Sequence, residues 1–295
     1  MSADDPVVPP MAAVAVAVVA VSTSAILVEL SGAPRVLKAG YRVLFTAAFV
    51  APFAFRQRRE FRAVAGTDWL VVGVAGVLLA VHFASWFASI EFTSIAASTT
   101  LVQTQPAFVA AGAWLLLDER VGARIVGGIL VAIAGSVLLS AGEFLGGGTV
   151  GAAPTLGNAL AVVGAVAGAG YVLAGRSVRQ RLSLAPYVFA VYGVCTVVLF
   201  AVAVALGLPL VDYPPREWLL FVGMAVGPGL FGHTVVNWAL KYVESSVVSV
   251  SLLGEPVGST LLALAVFGQV PGAFTVAGGC VVLLGIAITT TARAA

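Results

Sequence analysis

Between Met11 and Thr291 the chain passes through one apolar stretch after another, most of them close to twenty residues long, joined by short polar connections. A helix rises ~1.5 Å per residue, so about twenty apolar residues cover the ~30 Å hydrocarbon core of a bilayer. Ten such spans are expected: Met11–Leu30, Val36–Phe55, Trp69–Ser89, Ile95–Leu117, Arg124–Ala141, Gly157–Gly175, Pro186–Gly207, Trp218–Leu240, Ser245–Phe267 and Ala273–Thr291. Composition agrees: 60% of residues are hydrophobic and 9% charged, where a soluble domain carries roughly 25% charged residues, and the mean hydropathy is +1.07. The fold class read from this is an all-α integral membrane protein. Cys195 and Cys280 each lie inside an apolar run and read as small core residues, with no disulfide or metal implied. No Lys or Arg precedes Arg35, so the basic start of a cleaved signal peptide is missing and Met11–Leu30 reads as a retained first helix.

Basic loops stay cytoplasmic. With the N-terminus inside, the inner connections hold Arg56, Arg58, Arg59, Arg62, Arg120, Arg124, Arg176, Arg179, Arg181, Lys241 and Arg293, and the outer ones only Arg35, Lys38, Arg42 and Arg216. Ten spans then place both termini in the cytoplasm, and the location read is the cell membrane, crossed many times. Asp4 and Asp5 at the start add no positive charge.

Two stretches of the chain resemble each other. Thr93–Gly122 returns as Val243–Gly272, with Pro106 against Pro256 at an offset of 150 residues. At the same offset Gln105 meets Glu255, Phe92 meets Tyr242, Gly122 meets Gly272 and Gly135 meets Gly285. A polar residue beside a proline inside an apolar helix is costly in lipid unless protein or a water-filled cavity covers it. Two at matching positions point to a duplicated scaffold with a site between the copies. The units expected are residues 11–141 and 157–291, joined by the Gly-rich linker Gly146–Gly157. Five spans per unit is an odd number, so the second unit enters the membrane from the opposite side: two inverted five-helix repeats, an arrangement found in many secondary transporters. Gly127, Gly128 and Gly135 in the fifth span, and Gly278, Gly279 and Gly285 in the tenth, read as packing or dimerisation surfaces between the end helices of the two halves.

SIAASTTLVQTQPAFVAAGAWLLLDERVG, with Pro106 and Asp118-Glu119-Arg120-Val121, and LLGEPVGSTLLALAVFGQVPG, with Glu255-Pro256, resemble the EamA type of the drug/metabolite transporter superfamily. Tyr41-Arg42 resembles that family's arginine-bearing second helix, and Gln269 departs from it where a glutamate is usual, so Glu119 and Gln269 need not share a role. The resemblance runs through the whole chain. It implies a ten-helix transporter of small organic solutes, often an exporter of amino acids or related metabolites, working by alternating access through a central cavity.

The candidate substrate-binding residues are His82, Trp86, Gln105, His233, Asn237, Ser251 and Glu255. His82, Ser85, Trp86 and Ser89 share one helical face, which reads as a cavity wall or as interhelical hydrogen bonding. His233 and Asn237 are four apart on the eighth span, with Trp238 on an adjacent face. Gln105 is favoured over Gln103 by the repeat register. Ser22, Thr23 and Ser24 read chiefly as bonded to their own helix carbonyls. Glu29, Lys38 and Arg42 read as snorkelling to the headgroups, with an ion pair gating the outer mouth as the alternative. Ser251, Glu255 and Ser259 form a stripe beside Pro256 near mid-span, making Glu255 a candidate proton or cationic-substrate site, or a neutral acid bonded to a neighbouring helix.

The function expected is a secondary transporter, exporter or facilitator, not an enzyme. The alternatives are a membrane-embedded enzyme and a non-transporting structural or receptor protein. Against the enzyme, the sequence has no H-E-x-x-H, Cys-x-x-Cys or G-x-S-x-G; against the receptor, it shows no sizeable soluble domain. Without a P-loop, direct drive by ATP is not expected, and no basic–aromatic pattern points to nucleic acid. No cofactor or metal is expected. The partners are a small-molecule substrate, the lipid bilayer and, through Glu255, protons; a homodimer is left open.

The orientation can be tested with Arg59→Cys and Gly147→Cys in a background lacking Cys195 and Cys280. An impermeant maleimide on intact cells should label position 147 and spare 59. The reverse pattern overturns the orientation, and labelling at both overturns the number of spans.

Overall fold

The structure, a computed structural model, describes residue 6 and residues 8–63, 65–145 and 152–292. Asp4, Asp5, Gly147, Arg293, the side chain of Arg62 and the first half of the Gly-rich linker lie outside the described residues.

In chain order the helices are α1 (Pro10–Leu30), α2 (Arg35–Arg56), the one-turn α3 (Glu60–Ala63), α4 (Gly66–Phe92), α5 (Ile95–Val102), α6 (Gln105–Leu116), α7 (Ala123–Leu145), α8 (Pro154–Val178) and α9 (Leu184–Ala205). Then come α10 (Pro215–Met224), a π-helical segment (Ala225–Thr234), α11 (Val235–Ala239), α12 (Ser245–Ser251), α13 (Gly254–Phe267) and α14 (Ala273–Ala292). Nine stretches among the described residues are long and apolar enough to cross a membrane, with α10 to α11 and α12 to α13 each forming one. The expected fourth span is present as two shorter helices, α5 of 8 residues and α6 of 12.

Proline explains the breaks. Pro106 is the second residue of α6 and Pro256 the third of α13. Each lacks the N–H that would reach four residues back, and its fixed φ suits a first turn. The chain closes locally instead: Glu255 N bonds Leu252 O at 2.9 Å, and Thr104 N bonds Leu101 O at 3.1 Å. The two breaks, at Gln103–Thr104 and Leu252–Leu253, fall within one residue of matching repeat positions. Ser94 Oγ caps α5 by accepting from Ala97 N at 3.1 Å.

The eighth span is not the plain α-helix expected. Around Pro228 it widens into the π segment, a local form that recurs at functional sites. Its loosened carbonyls are taken by side chains: Thr46 Oγ1 of α2 donates to Ala225 O at 3.1 Å, and Thr234 Oγ1 to Gly229 O at 3.1 Å.

Packing repeats at the same offset. A shift of 150 residues carries α1 onto α8, α2 onto α9, α4 onto α10–α11 and α7 onto α14. The contact of α4 with α8 then matches that of α1 with the π segment, while α2–α9 and α7–α14 pair with their own counterparts. Side chains join the helix ends into two rims. One holds Asp68–Arg181 at 2.6 Å, Glu60–Ser183 and Glu119–Arg176. The other holds Ser31–Glu217, Thr93–Asn158 and Tyr41 hydroxyl on Leu210 O. Tyr41 also stacks on Phe221 at 4.7 Å and meets Trp218 edge-on at 5.0 Å, closing an apolar cluster at the second rim.

Of the small residues, Gly128, Gly135, Gly278 and Gly285 form the α7–α14 contact, where a Cβ on any of them would overlap the facing helix. Gly127 faces open space and Gly279 meets Val257 instead. Cys195 is buried, but Cys280 is exposed on α14, correcting its reading as a core residue. At Gly278 the overlap is with the Leu139 backbone, which cannot rotate away. Gly278→Val should therefore cost about 3 kcal/mol by overpacking and lower the thermal midpoint in detergent, while Gly127→Val leaves it near wild type. Equal midpoints for the two variants would remove this contact as a stabilising one.

Candidate functional site

At the centre lies a cavity of ≈ 10 Å³ walled by α2, α4, α9 and the π segment. Six of its lining residues form three pairs 150 residues apart: Arg42 with Tyr192, Leu79 with Gly229, and Phe83 with His233. The cavity is therefore lined by the same positions of both halves. Its size suits about one water, well short of the room an organic solute needs.

Arg42 corrects the snorkelling reading. It is 8% exposed, and its Cζ sits 4.4 Å from the Phe83 ring centroid as a cation–π contact. Its Nη1 donates to Ser24 Oγ at 3.4 Å. Lys38 does not snorkel either: its Nζ donates to Val28 O at 2.9 Å and Ser31 O at 2.7 Å, tying α2 to the end of α1. The carboxylate of Glu217, not Glu29, closes that end, accepting from Ser31 Oγ at 2.5 Å and Gly32 N at 2.9 Å.

His233 is the one sequence-predicted residue in the cavity wall, with its ring 6.3 Å from that of Phe83. Asn237, fully buried one turn on, donates to Tyr171 hydroxyl at 2.6 Å, Tyr192 hydroxyl at 3.4 Å and His233 O at 2.8 Å. His82 Nδ1 meets Gly164 O at 2.8 Å, which is the interhelical bond, and Gln105 Oε1 and His82 both approach Gly168 of α8. Trp86 stands half-buried beside His82 and Phe87, and its Nε1 is enclosed without a hydrogen-bond partner among the described residues. Ser251 Oγ is turned to Val247 O of its own helix and is not in the cavity wall. Ser259 Oγ ties α13 to Ser22 O of α1 at 3.0 Å. Ser22 and Thr23 bond their own helix carbonyls as expected.

The Glu255 carboxylate makes no hydrogen bond or ion pair within 4 Å among the described residues, so the expected bond to a neighbouring helix is not made. The charged group acting on it is Arg42, from the other half of the chain. Sequence reasoning missed Arg42, Phe83, Tyr171 and Tyr192. One signal was available for Arg42: it lies two turns inside α2, about 10 Å from its start, too deep to leave easily.

The first rim is latched by Glu119. Its Oε1 accepts from Arg176 Nε at 2.8 Å, and its Oε2 accepts from Ser245 Oγ at 2.9 Å and Ser245 N at 3.2 Å at the start of α12. Arg176 Nη1 reaches Leu240 O at 2.9 Å. Gln269, at the matching position, is exposed and makes no such latch. No group of three or more His, Cys, Asp or Glu among the described residues is placed to hold a metal.

The EamA-like transporter family matches residues 10–141 and again 155–291. The chain belongs to this family. It is 26% identical over 259 residues to an uncharacterized transporter of Archaeoglobus fulgidus, across 85% of this chain and 86% of the relative. A solved crystal structure superimposes with a TM-score of 0.80 over 96% of both chains, at 22% identity, which speaks to the fold alone. Both halves of this membrane transporter thus carry the family pattern, and the cavity lies where the two meet.

Glu119→Ala removes the cap on α12 and the partner of Arg176. Ser246, 1% exposed behind the latch, can report on it. In a background without Cys195 and Cys280, Ser246→Cys should react slowly with maleimide in purified protein, and adding Glu119→Ala should speed labelling severalfold. Unchanged labelling would show that Glu119 does not keep this rim shut.

Proposed function

We propose that this EamA-family chain is a secondary transporter, an exporter or facilitator of small organic metabolites such as amino acids, and not an enzyme. It works by alternating access in the cell membrane, with ten spans in two inverted five-helix repeats, residues 11–141 and 157–291, and both termini cytoplasmic. The observation that carries this reading is the cavity lined by three repeat-matched pairs, Arg42/Tyr192, Leu79/Gly229 and Phe83/His233.

Three features support it. Helices broken within one residue of the same repeat position present Gln105 and Glu255 near mid-span, where unwound backbone is tolerated only if protein or a cavity covers it. The helix ends joined at each rim are those that ten alternating crossings would bring to the same side. The two rims are latched by different residues, Glu119–Arg176 at one and Glu217–Ser31 at the other, so one can release while the other holds. His82, Trp86, Gln105, His233, Asn237 and Glu255 are the substrate-facing set in this reading, with Ser251 behind them. Glu255 is the proton or cation site, acting beside Arg42, His82 and His233.

Counterflow in proteoliposomes, with labelled amino acids and nucleobases against an internal excess of each, tests transport itself; no protein-dependent exchange with any of them would count against it. Glu255→Gln should keep the fold and abolish the pH dependence of exchange. A wild-type rate with an unchanged pH profile would make Glu255 structural.

A further inference from the structure

The central cavity holds a cation whose hydrogen bonds are mostly unused. A guanidinium carries five N–H donors and does not shed its proton in proteins. Arg42 places this group among apolar side chains, where it makes one hydrogen bond, to Ser24 Oγ at 3.4 Å, and no ion pair among the described residues. The Phe83 ring fixes the face of the guanidinium from 4.4 Å, which leaves the in-plane N–H edge as the part still seeking acceptors. Arg42 is also a wall of the cavity.

The other groups around it do not supply that acceptor. Glu255 acts on Arg42 at longer range without reaching ion-pair distance. His233 and Tyr192 share the cavity wall, and Asn237 bonds the Tyr192 hydroxyl. Thr46 Oγ1 shares its one O–H between Arg42 O and Ala225 O and makes no hydrogen bond with the guanidinium among the described residues. A buried charge left short of partners is costly, and it is completed most economically by a planar oxyanion matching the guanidinium fork. Val43, Leu79 and Phe83 give the rest of the cavity an apolar lining.

We propose that Arg42 is the anchor for a carboxylate group of the substrate, so that the solutes this protein carries are organic carboxylates. The inference rests on the transporter reading above and narrows it. A carboxylate at Arg42 forms paired N–H···O contacts in the cavity, and its remainder lies against Phe83 and Leu79 or extends towards Glu255. Arg42 is here a binding residue, and lysine, a point charge without the fork, is a poor substitute.

The test uses the full chain in proteoliposomes and labelled acid–amide pairs: L-leucine with L-leucinamide, L-phenylalanine with L-phenylalaninamide, and 4-methylpentanoate with 4-methylpentanamide. Uracil and glycerol 3-phosphate serve as solutes without a carboxylate. Wild-type protein should take up at least one acid about tenfold or more faster than its amide. Arg42→Gln should lower the acid to the level of its amide, and Arg42→Lys should fall between. The variants' elution profiles and thermal midpoints report whether they fold; if Arg42→Gln does not, the wild-type acid-to-amide ratio and Arg42→Lys still decide. Uptake of amides, uracil or glycerol 3-phosphate as fast as the acids would overturn the carboxylate assignment and leave the transporter reading standing. A folded Arg42→Gln with the wild-type acid-to-amide ratio would overturn it too. Uptake of none of these solutes would overturn both.

Discussion

Lipid offers a backbone no hydrogen-bond partner, and the rest of this structure follows from that deficiency. Every N–H and C=O at membrane depth must be satisfied by the chain itself, which makes long helices the default and any interruption informative. Among the described residues three interruptions occur at depth, at Gln103–Thr104, at Leu252–Leu253 and in the π segment around Pro228. Each is covered. The first two close on local carbonyls beside a proline, and the third is held by Thr46 from α2 and Thr234 from within. Irregular backbone survives here because it is enclosed by other helices, and the same enclosure brings Arg42, His233 and Glu255 towards one another.

The duplicated scaffold gives this centre its shape, and departures from the duplication give it chemistry. Arg42 stands opposite Tyr192, Phe83 opposite His233 and Gln105 opposite Glu255 in repeat register. Each pair has similar bulk and different polarity. A symmetric pair of arginines would repel, and a symmetric pair of glutamines would carry no charge. The mixed pairs place one fixed cation and one carboxylate in a single apolar interior, close enough to feel each other and too far apart to pair. The rims show the same habit. Glu119 latches Arg176 and the start of α12, while Gln269 in the other half is exposed and a different carboxylate, Glu217, holds the opposite end.

Much was decided along the chain alone. Length and hydropathy set the membrane helices, and Pro106 and Pro256 mark where two of them are interrupted, because each removes an N–H, although Pro52 leaves α2 unbroken. The small residues of the fifth and tenth spans were legible for the same reason: four of them sit where two backbones touch, since only a missing Cβ allows that approach. What the tertiary structure alone decided is the partner of each polar group. Arg42 looks like a headgroup anchor in sequence, because snorkelling depends on which way the side chain points, and α4 turns out to offer Phe83 as its seat. Ser251 and Glu255 share a stripe, yet one hydroxyl folds back onto Val247 O while the carboxylate makes no bond among the described residues. Tyr171 and Tyr192 gave no signal in two apolar spans, yet their hydroxyls meet each other and Asn237 from a third helix. Spacing fixes which face of a helix a residue occupies; which other helix lies against that face is settled only when the two halves close on each other.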